Sequence, residues 1–428
     1  MIKPTFSWEI NLGHILQIGA IIFGSTVFSI NKNLAATFIG NLETTTGDVY
    51  IAENNGGEIA ITDGQYIYVY NYNVPTVPVL LSSVPGSVNQ IAFTFQNPGF
   101  ISFQDGRLIV ACNGTTNWVL SDFNMATIWP TTASNVGSLQ TKPDFIQAVV
   151  PMPGGGQNIL VFGRNVTETW QDVGAAKFPY KKNATCNIYY GCLNPSTIAS
   201  LKDVVVWIAV NEQSGPVLMI ANGNSITPIS TDGIDSQLAQ LTAPENCTGF
   251  LYQQDGHLIY QFTFITDNIS YAYDFESKLF FSVSDETLNY HIARQVVFFN
   301  NHYYFVSLKG GNLYDFSTSY TNAQYSDIDI KEIPRIRVTP PLRLPDQRYF
   351  IMQSAGFTIE NGQPNTIRTV KTEIYGNELE ISTEGLLRIQ TESGLNIACE
   401  GDDDPTDFVI TEYPSEAVFL SISRDGAE

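Results

Sequence analysis

Short apolar runs rich in β-branched and aromatic residues, each closed by a glycine or asparagine corner, recur along most of the chain. Such runs fit a pleated, half-buried surface, and the corners supply the positive backbone angles that tight hairpins need. The clearest case starts at 159–162, an apolar strand that runs into the corner Gly163-Arg164-Asn165. In the strand that follows, Val166, Glu168 and Trp170 share one face, while Thr167, Thr169 and Gln171 share the other. This places Trp170 as a blade-core residue, buried between adjacent sheets.

Seven turn-plus-strand units of this kind begin near residues 24, 62, 103, 155, 200, 252 and 298. Several continue into a second hairpin, as 217–221 does through Asn222-Gly223-Asn224 into 225–229. Four short strands every 40–50 residues match the arithmetic of a β-propeller blade. Radial repetition also explains how a long all-β chain avoids exposed sheet edges. The expectation is an all-β protein, a propeller of six or seven blades followed by a small antiparallel β domain; a pair of β-sandwiches would show similar turn spacing.

The expected divisions are an N-terminal segment at 1–23, the propeller at 24–332 and the small β domain at 333–428. The N-terminal run from Asn11 to Asn31 carries no charge, yet polar residues and Gly24-Ser25 break it. Two strands, 15–23 and 26–30, are favoured over a membrane helix or a signal segment. After residue 321 the prolines of Ile333-Pro334-Arg335-Ile336-Arg337-Val338-Thr339-Pro340-Pro341 bar pairing inside a sheet. Beyond them, strands are expected at 357–359, 369–374, 378–381, 386–390 and 418–422.

Composition narrows the chemistry. Only 15 % of the 428 residues are charged, and the 42 acids and 21 bases leave a net charge of −21. Such a surface repels nucleic acid at long range, although an acidic wall can surround a duplex without holding it; acidity also simply keeps a sheet-rich protein soluble. The five cysteines form no CxxC pair, and the four histidines share no metal-ligand spacing. Neither a phosphate loop nor a nucleophile elbow is present. No cofactor, metal or catalytic group is therefore expected. Glu400-Gly401-Asp402-Asp403-Asp404 lacks the alternation of a calcium loop and reads as an acidic surface loop. Arg335, Arg337, Arg343 and Arg348 form the single basic cluster, a candidate contact for a partner surface or for DNA phosphates, or equally a solvated domain junction.

Several segments resemble the packaged-DNA stabilisation, or tail-hub, proteins of short-tailed bacteriophages. They are Pro98-Gly99-Phe100 with Gln104-Asp105-Gly106, the run from Gly163-Arg164 to Glu168-Thr169-Trp170, and Phe178-Pro179-Tyr180 with Gly191-Cys192. Tyr252-Gln253-Gln254-Asp255-Gly256-His257, Tyr271-Ala272-Tyr273-Asp274 and Ile333-Pro334-Arg335-Ile336-Arg337 complete the set, which spans roughly 24–345. The resemblance implies a structural virion protein of the tail, made in the host cytoplasm and not an enzyme. It implies a homo-oligomeric ring, typically of six copies, below the portal and adaptor proteins. That ring would close the head, pass DNA through its channel without sequence-specific binding, and hold a tail needle or tailspike. Members of the family usually start with a polar segment, unlike residues 1–23, which sets the first blade apart from the resemblance; they also continue past the position of Glu428, so a shortened form or a split-gene product is expected here. The alternative from another class is a propeller that binds or hydrolyses glycans, for which a central pocket with paired carboxylates and an arginine cluster would be the mark.

Overall fold

The computed structural model describes residues 4–12, 16–73, 97–130, 135–152, 157–175, 178–223 and 225–310, parts of 312–336, and strands within 368–410; side chains are described from Ala20 to Ile336. The chain forms two compact units, Met1–Pro334 and Arg335–Glu428. The first is a propeller of seven antiparallel sheets taken in chain order, each a simple meander. The strands that open the blades are Pro4–Leu12, Tyr50–Glu53, Pro98–Gln104, Ile146–Pro151, Ala199–Leu201, Cys247–Gln254 and Ala293–Phe299. Blades 1, 3, 4, 5 and 6 have four strands, and blades 2 and 7 have three among the described residues.

The second strand of each blade explains why so many runs are apolar without alternation. In blade 5 it is Val204–Ala209, and all six residues are buried. Val205, Trp207 and Ala209 pack on blade 4, whereas Val204, Val206 and Ile208 pack on blade 6. In blade 3, Leu108, Val110 and Cys112 face blade 2, while Ile109 and Ala111 face blade 4. Successive side chains point to opposite faces of a strand, and in a propeller both faces are covered. Each adjacent pair of blades thus shares its own core.

The seventh core closes the circle. Ile21 and Ile30 of blade 1 pack against Val297, Phe299, Tyr304 and Val306 of blade 7. Among the described residues no strand is shared across this seam, because blade 1 is built entirely from Pro4–Leu12, Leu16–Phe23, Thr26–Asn31 and Ala36–Asn41. Polar ties accompany the packing. Arg294 Nη2 lies 2.5 Å from Asp48 Oδ1, and Asn300 Nδ2 donates to the Lys32 carbonyl at 3.4 Å.

Two expectations differ from this arrangement. Residues 1–23 were set apart from the propeller, yet Pro4–Leu12 and Leu16–Phe23 are the first two strands of blade 1. The cause is the corner at Gly24 (φ +62°), which joins the second and third strands of that blade, not its first two. The unit near 62 is displaced in the same way, since Asp63-Gly64 joins the second and third strands of blade 2. All seven units nevertheless fall in separate blades. In the second unit, Arg368–Tyr375 pairs with Glu378–Ser382 and with Thr406–Ile410, and Ile397–Ala398 completes an antiparallel sheet. The strands expected at 357–359, 386–390 and 418–422 lie outside the described residues.

Candidate functional site: the propeller axis and its inter-blade ties

The opening strands surround the axis, where propellers commonly hold their ligands. At the end where these strands begin, side chains from several blades meet. The Tyr50 hydroxyl of blade 2 lies 3.3 Å from Ser196 Oγ, which precedes blade 5 in the short helix Pro195–Thr197. These blades stand three places apart among seven, so the contact reaches across the axis. Phe100 of blade 3 packs on the Tyr50 ring with centroids 5.0 Å apart. Thr248 of blade 6 donates its hydroxyl to the Arg294 carbonyl of blade 7 at 3.0 Å. Burial, with the Asp48 carboxylate close by, raises the Tyr50 pKa and keeps the phenol protonated. The arrangement is a plug.

Several of the segments that carried the family resemblance hold ties between blades. Gly191 lies against the Arg164-Asn165 corner so closely that a Cβ there would stand 2.3–2.4 Å from three backbone atoms. Around it, the Cys192 amide donates to the Gly163 carbonyl at 2.9 Å, and Arg164 Nη1 donates to the Leu193 carbonyl at 2.6 Å. The Trp207 indole donates to the Gly191 carbonyl at 3.1 Å. Blade 4 is thereby zipped to blade 5. The Tyr180 hydroxyl donates to Gln104 Oε1 at 3.2 Å, linking blade 4 to blade 3.

Trp170 is 3 % exposed, within the core that blades 3 and 4 share. Its ring stands edge-on to Trp118 at 5.5 Å, and Phe178 and Tyr180 complete the aromatic group. The indole N–H donates to Glu168 Oε2 at 2.9 Å. Glu168 is fully buried and also accepts from the amides of Gln140 (2.8 Å) and Thr141 (2.5 Å), with Lys182 Nζ at 3.2 Å. Burial alone would raise its pKa, but the hydrogen bonds from Thr141, Gln140 and Trp170 outweigh it and hold the carboxyl below its ordinary value. Sequence reading assigned Glu168 only to a face. A carboxylate on the strand face it shares with Val166 and Trp170, in a chain poor in charge, was the signal available.

The other candidates are quickly placed. Arg335, Arg337, Arg343 and Arg348 lie outside the described residues, as does 400–404. Cys112, Cys192 and Cys247 are buried free thiols, and burial pushes the first two up to about 12. Among the described residues no group of His, Cys, Asp and Glu could hold a metal ion. A hollow of about 390 Å³ is lined by 43–46 and 63–65. Its Asp63 carboxylate already accepts from Thr44, Tyr68, Gln65 and Tyr66, so it organises a turn.

A model of the phage-stabilisation family, described as bacteriophage P22 Gp10, β-propeller, matches residues 16–321. The chain belongs to that family. It is accordingly an all-β phage structural protein, and the matched span runs from blade 1 to the end of blade 7. No curated protein matches the chain. Among solved structures, similarity is found to a protein provisionally named a 6-phosphogluconolactonase from Bacteroides fragilis, with TM-score 0.45 and 12 % identity over 73 % of this chain and 92 % of that one. The WD40 propeller domain of Doa1 follows, with TM-score 0.40 and 11 % identity over 72 % and 90 % of the two chains. The RRP9 WD40 repeats give TM-score 0.40 and 7 % identity over 68 % and 83 %.

Proposed function

We propose that this phage-stabilisation protein is a tail-hub component that assembles as a ring, with six copies expected, beneath the portal and adaptor. In this reading the ring closes the head, retains packaged DNA and connects to the distal needle or tailspike. The observation that carries the proposal is membership of the family over 16–321. The axial plug supports one detail. With Tyr50, Phe100 and Ser196 meeting across the propeller axis, a duplex would pass between copies and not through a propeller. Retention would then come from mechanical closure, because an acidic chain offers few cations to displace counterions. The same plug favours this reading over a glycan-active propeller, whose ligand would occupy the axis. One carboxylate at that end, Asp48, is engaged by Arg294.

The test mixes purified protein with the portal–adaptor complex and measures size and negative-stain images. A stoichiometric closed ring is expected; a monomer with no affinity for the adaptor would overturn the hub role. Titration against duplex DNA should give weak, strongly salt-sensitive binding. Neutralising Arg335, Arg337, Arg343 and Arg348 should weaken adaptor docking more than DNA affinity. Tight duplex binding at physiological salt would sink the closure mechanism.

A further inference from the structure

The loop 121–130 of blade 3 is built in an unusual way. Its backbone is held by several hydrogen bonds, yet three of its large apolar side chains stand exposed. The Asn124 amide donates to the Gly106 carbonyl at 2.6 Å, and the Ala126 amide donates to Glu58 Oε2 of blade 2 at 2.7 Å. The Trp129 indole donates to the Ala126 carbonyl at 2.8 Å, and the Asp122 amide to the Ile128 carbonyl at 2.9 Å. Ala126 and Trp129 are buried beneath, at 0 % and 7 % exposure. Asn124 takes the left-handed conformation (φ +52°) that this path requires. Held out by this frame, Phe123, Met125 and Ile128 are 59 %, 47 % and 48 % exposed. The Phe123 ring lies over Gly106, where a Cβ would clash at 2.4 Å.

Strand order places this loop on one end of the propeller. Opening strands all run the same way around the axis, so the turns after first and third strands share a face. That face also presents Leu34, Leu279 and Phe298, all more than 40 % exposed. Blade 3 is the place on it where three large apolar groups stand together on a braced loop. Asp105 and Asp122 are exposed at the same corner; the Arg107 guanidinium donates to the Ser121 carbonyl at 2.8 Å and lies 3.9 Å from Asp122 Oδ1, so two carboxylates stand beside one cation and these three groups are net acidic.

We infer that the 121–130 loop is a preformed docking element for a different protein, one offering an apolar segment flanked by lysine or arginine. Pre-organised apolar anchors lose little freedom on binding, which is where hot-spot affinity comes from. The carboxylates beside them select the sign of the partner. They disfavour nucleic acid and anionic lipid. A second copy, with twice as many acids as bases, would set like charge against like. The inference rests on the loop and holds whether or not the chain forms a ring.

Two fluorescent amphipathic peptides of equal apolar content serve as probes, one with lysine and arginine on its polar face and one with glutamate. The full chain should bind the basic peptide at least tenfold more tightly than the acidic one. The triple variant Phe123→Ser, Met125→Gln, Ile128→Ser should lose at least tenfold of that affinity. Asp105→Asn with Asp122→Asn should lose about threefold, most of it at low salt. Equal binding of the two peptides, or no change in the triple variant, would overturn the inference. A photo-crosslinker at Met125 in assembled phage particles gives the second readout. Adducts to another protein, at an apolar segment next to basic residues, support it, and adducts between copies of this chain refute it.

Discussion

Replacing Trp170 by alanine removes one of the two tryptophans at the junction of blades 3 and 4. The ring is almost wholly buried and touches Trp118 and Phe178, so little of the space could close by collapse around the smaller residue. Substitutions of this kind cost about 3–5 kcal/mol. Part of that cost is the loss of the indole N–H bond to the buried Glu168 carboxylate. Hydrogen bonds to charged groups are worth about 1.5–3 kcal/mol, and Glu168 keeps Gln140, Thr141 and Lys182 after the loss. Trp170→Phe separates the two effects, because it keeps a ring against Trp118 and deletes only the N–H and part of the volume. The expected order is wild type, then phenylalanine about 2 kcal/mol lower, then alanine about 3–5 kcal/mol lower. Urea titration followed by far-ultraviolet circular dichroism reads this without relying on tryptophan emission. Were the alanine variant to lose less than about 1 kcal/mol, the burial argument would fail. Equal losses for phenylalanine and alanine would assign the effect to the Glu168 bond instead of to packing.

Three further outcomes follow from the same geometry. Gly191→Ala drives a methyl group into the Arg164-Asn165 backbone, which cannot swing aside like a side chain, so a loss of at least about 2 kcal/mol is expected; a melting temperature within a degree of wild type would contradict the close approach. Arg294→Met or Asp48→Asn removes the seam ion pair, which is partly exposed and so worth only about 1 kcal/mol. Hydrogen exchange should quicken first in 16–41 and 293–307, and a uniform rise through all blades would show that the seam is not the first place to open. Burial lowers the pKa of His291 from 6.5 to about 4 against the opposing pull of Asp285, and its Nδ1 accepts from the Ala293 amide at 3.2 Å. The unfolded chain therefore binds the proton first, and stability, level above pH 6.5, should fall as pH drops toward 4. The loss is about 2–3 kcal/mol, reduced somewhat by the residual exposure of the ring. Asp285, held at about 2 because donors including Lys309 and Thr287 outweigh its burial, adds a further decline between about pH 4 and 2. His291→Asn should flatten the upper part of this profile, and an unchanged slope would remove His291 from the account.

The number and kind of elements were legible without coordinates because they depend on local properties. Asp105-Gly106, Asp255-Gly256 and Asn300-Asn301 all take the positive angles their composition favours. The β-branched runs between such corners read as strands, and their spacing fits six or seven propeller blades, while a pair of β-sandwiches would space its turns alike. The burial of Trp170 also followed from a neighbouring pattern of three residues. The allocation of faces was a different matter. In Val204–Ala209 every position is apolar, so sequence shows that both sides are covered, while only the packed ring decides that odd-numbered positions meet blade 4 and even-numbered ones blade 6. Phase within the repeat was equally hidden in blades 1 and 2, where the second corner looks like the first corner of later blades. The functional geometry lies further still from local pattern. Tyr50 meets Ser196 across 146 residues, and Arg294 meets Asp48 across 246. Neither pair has a spacing that chain stiffness or periodicity could specify. They meet because closing seven sheets around an axis brings the starts of all the opening strands to one place, which no strand encodes alone.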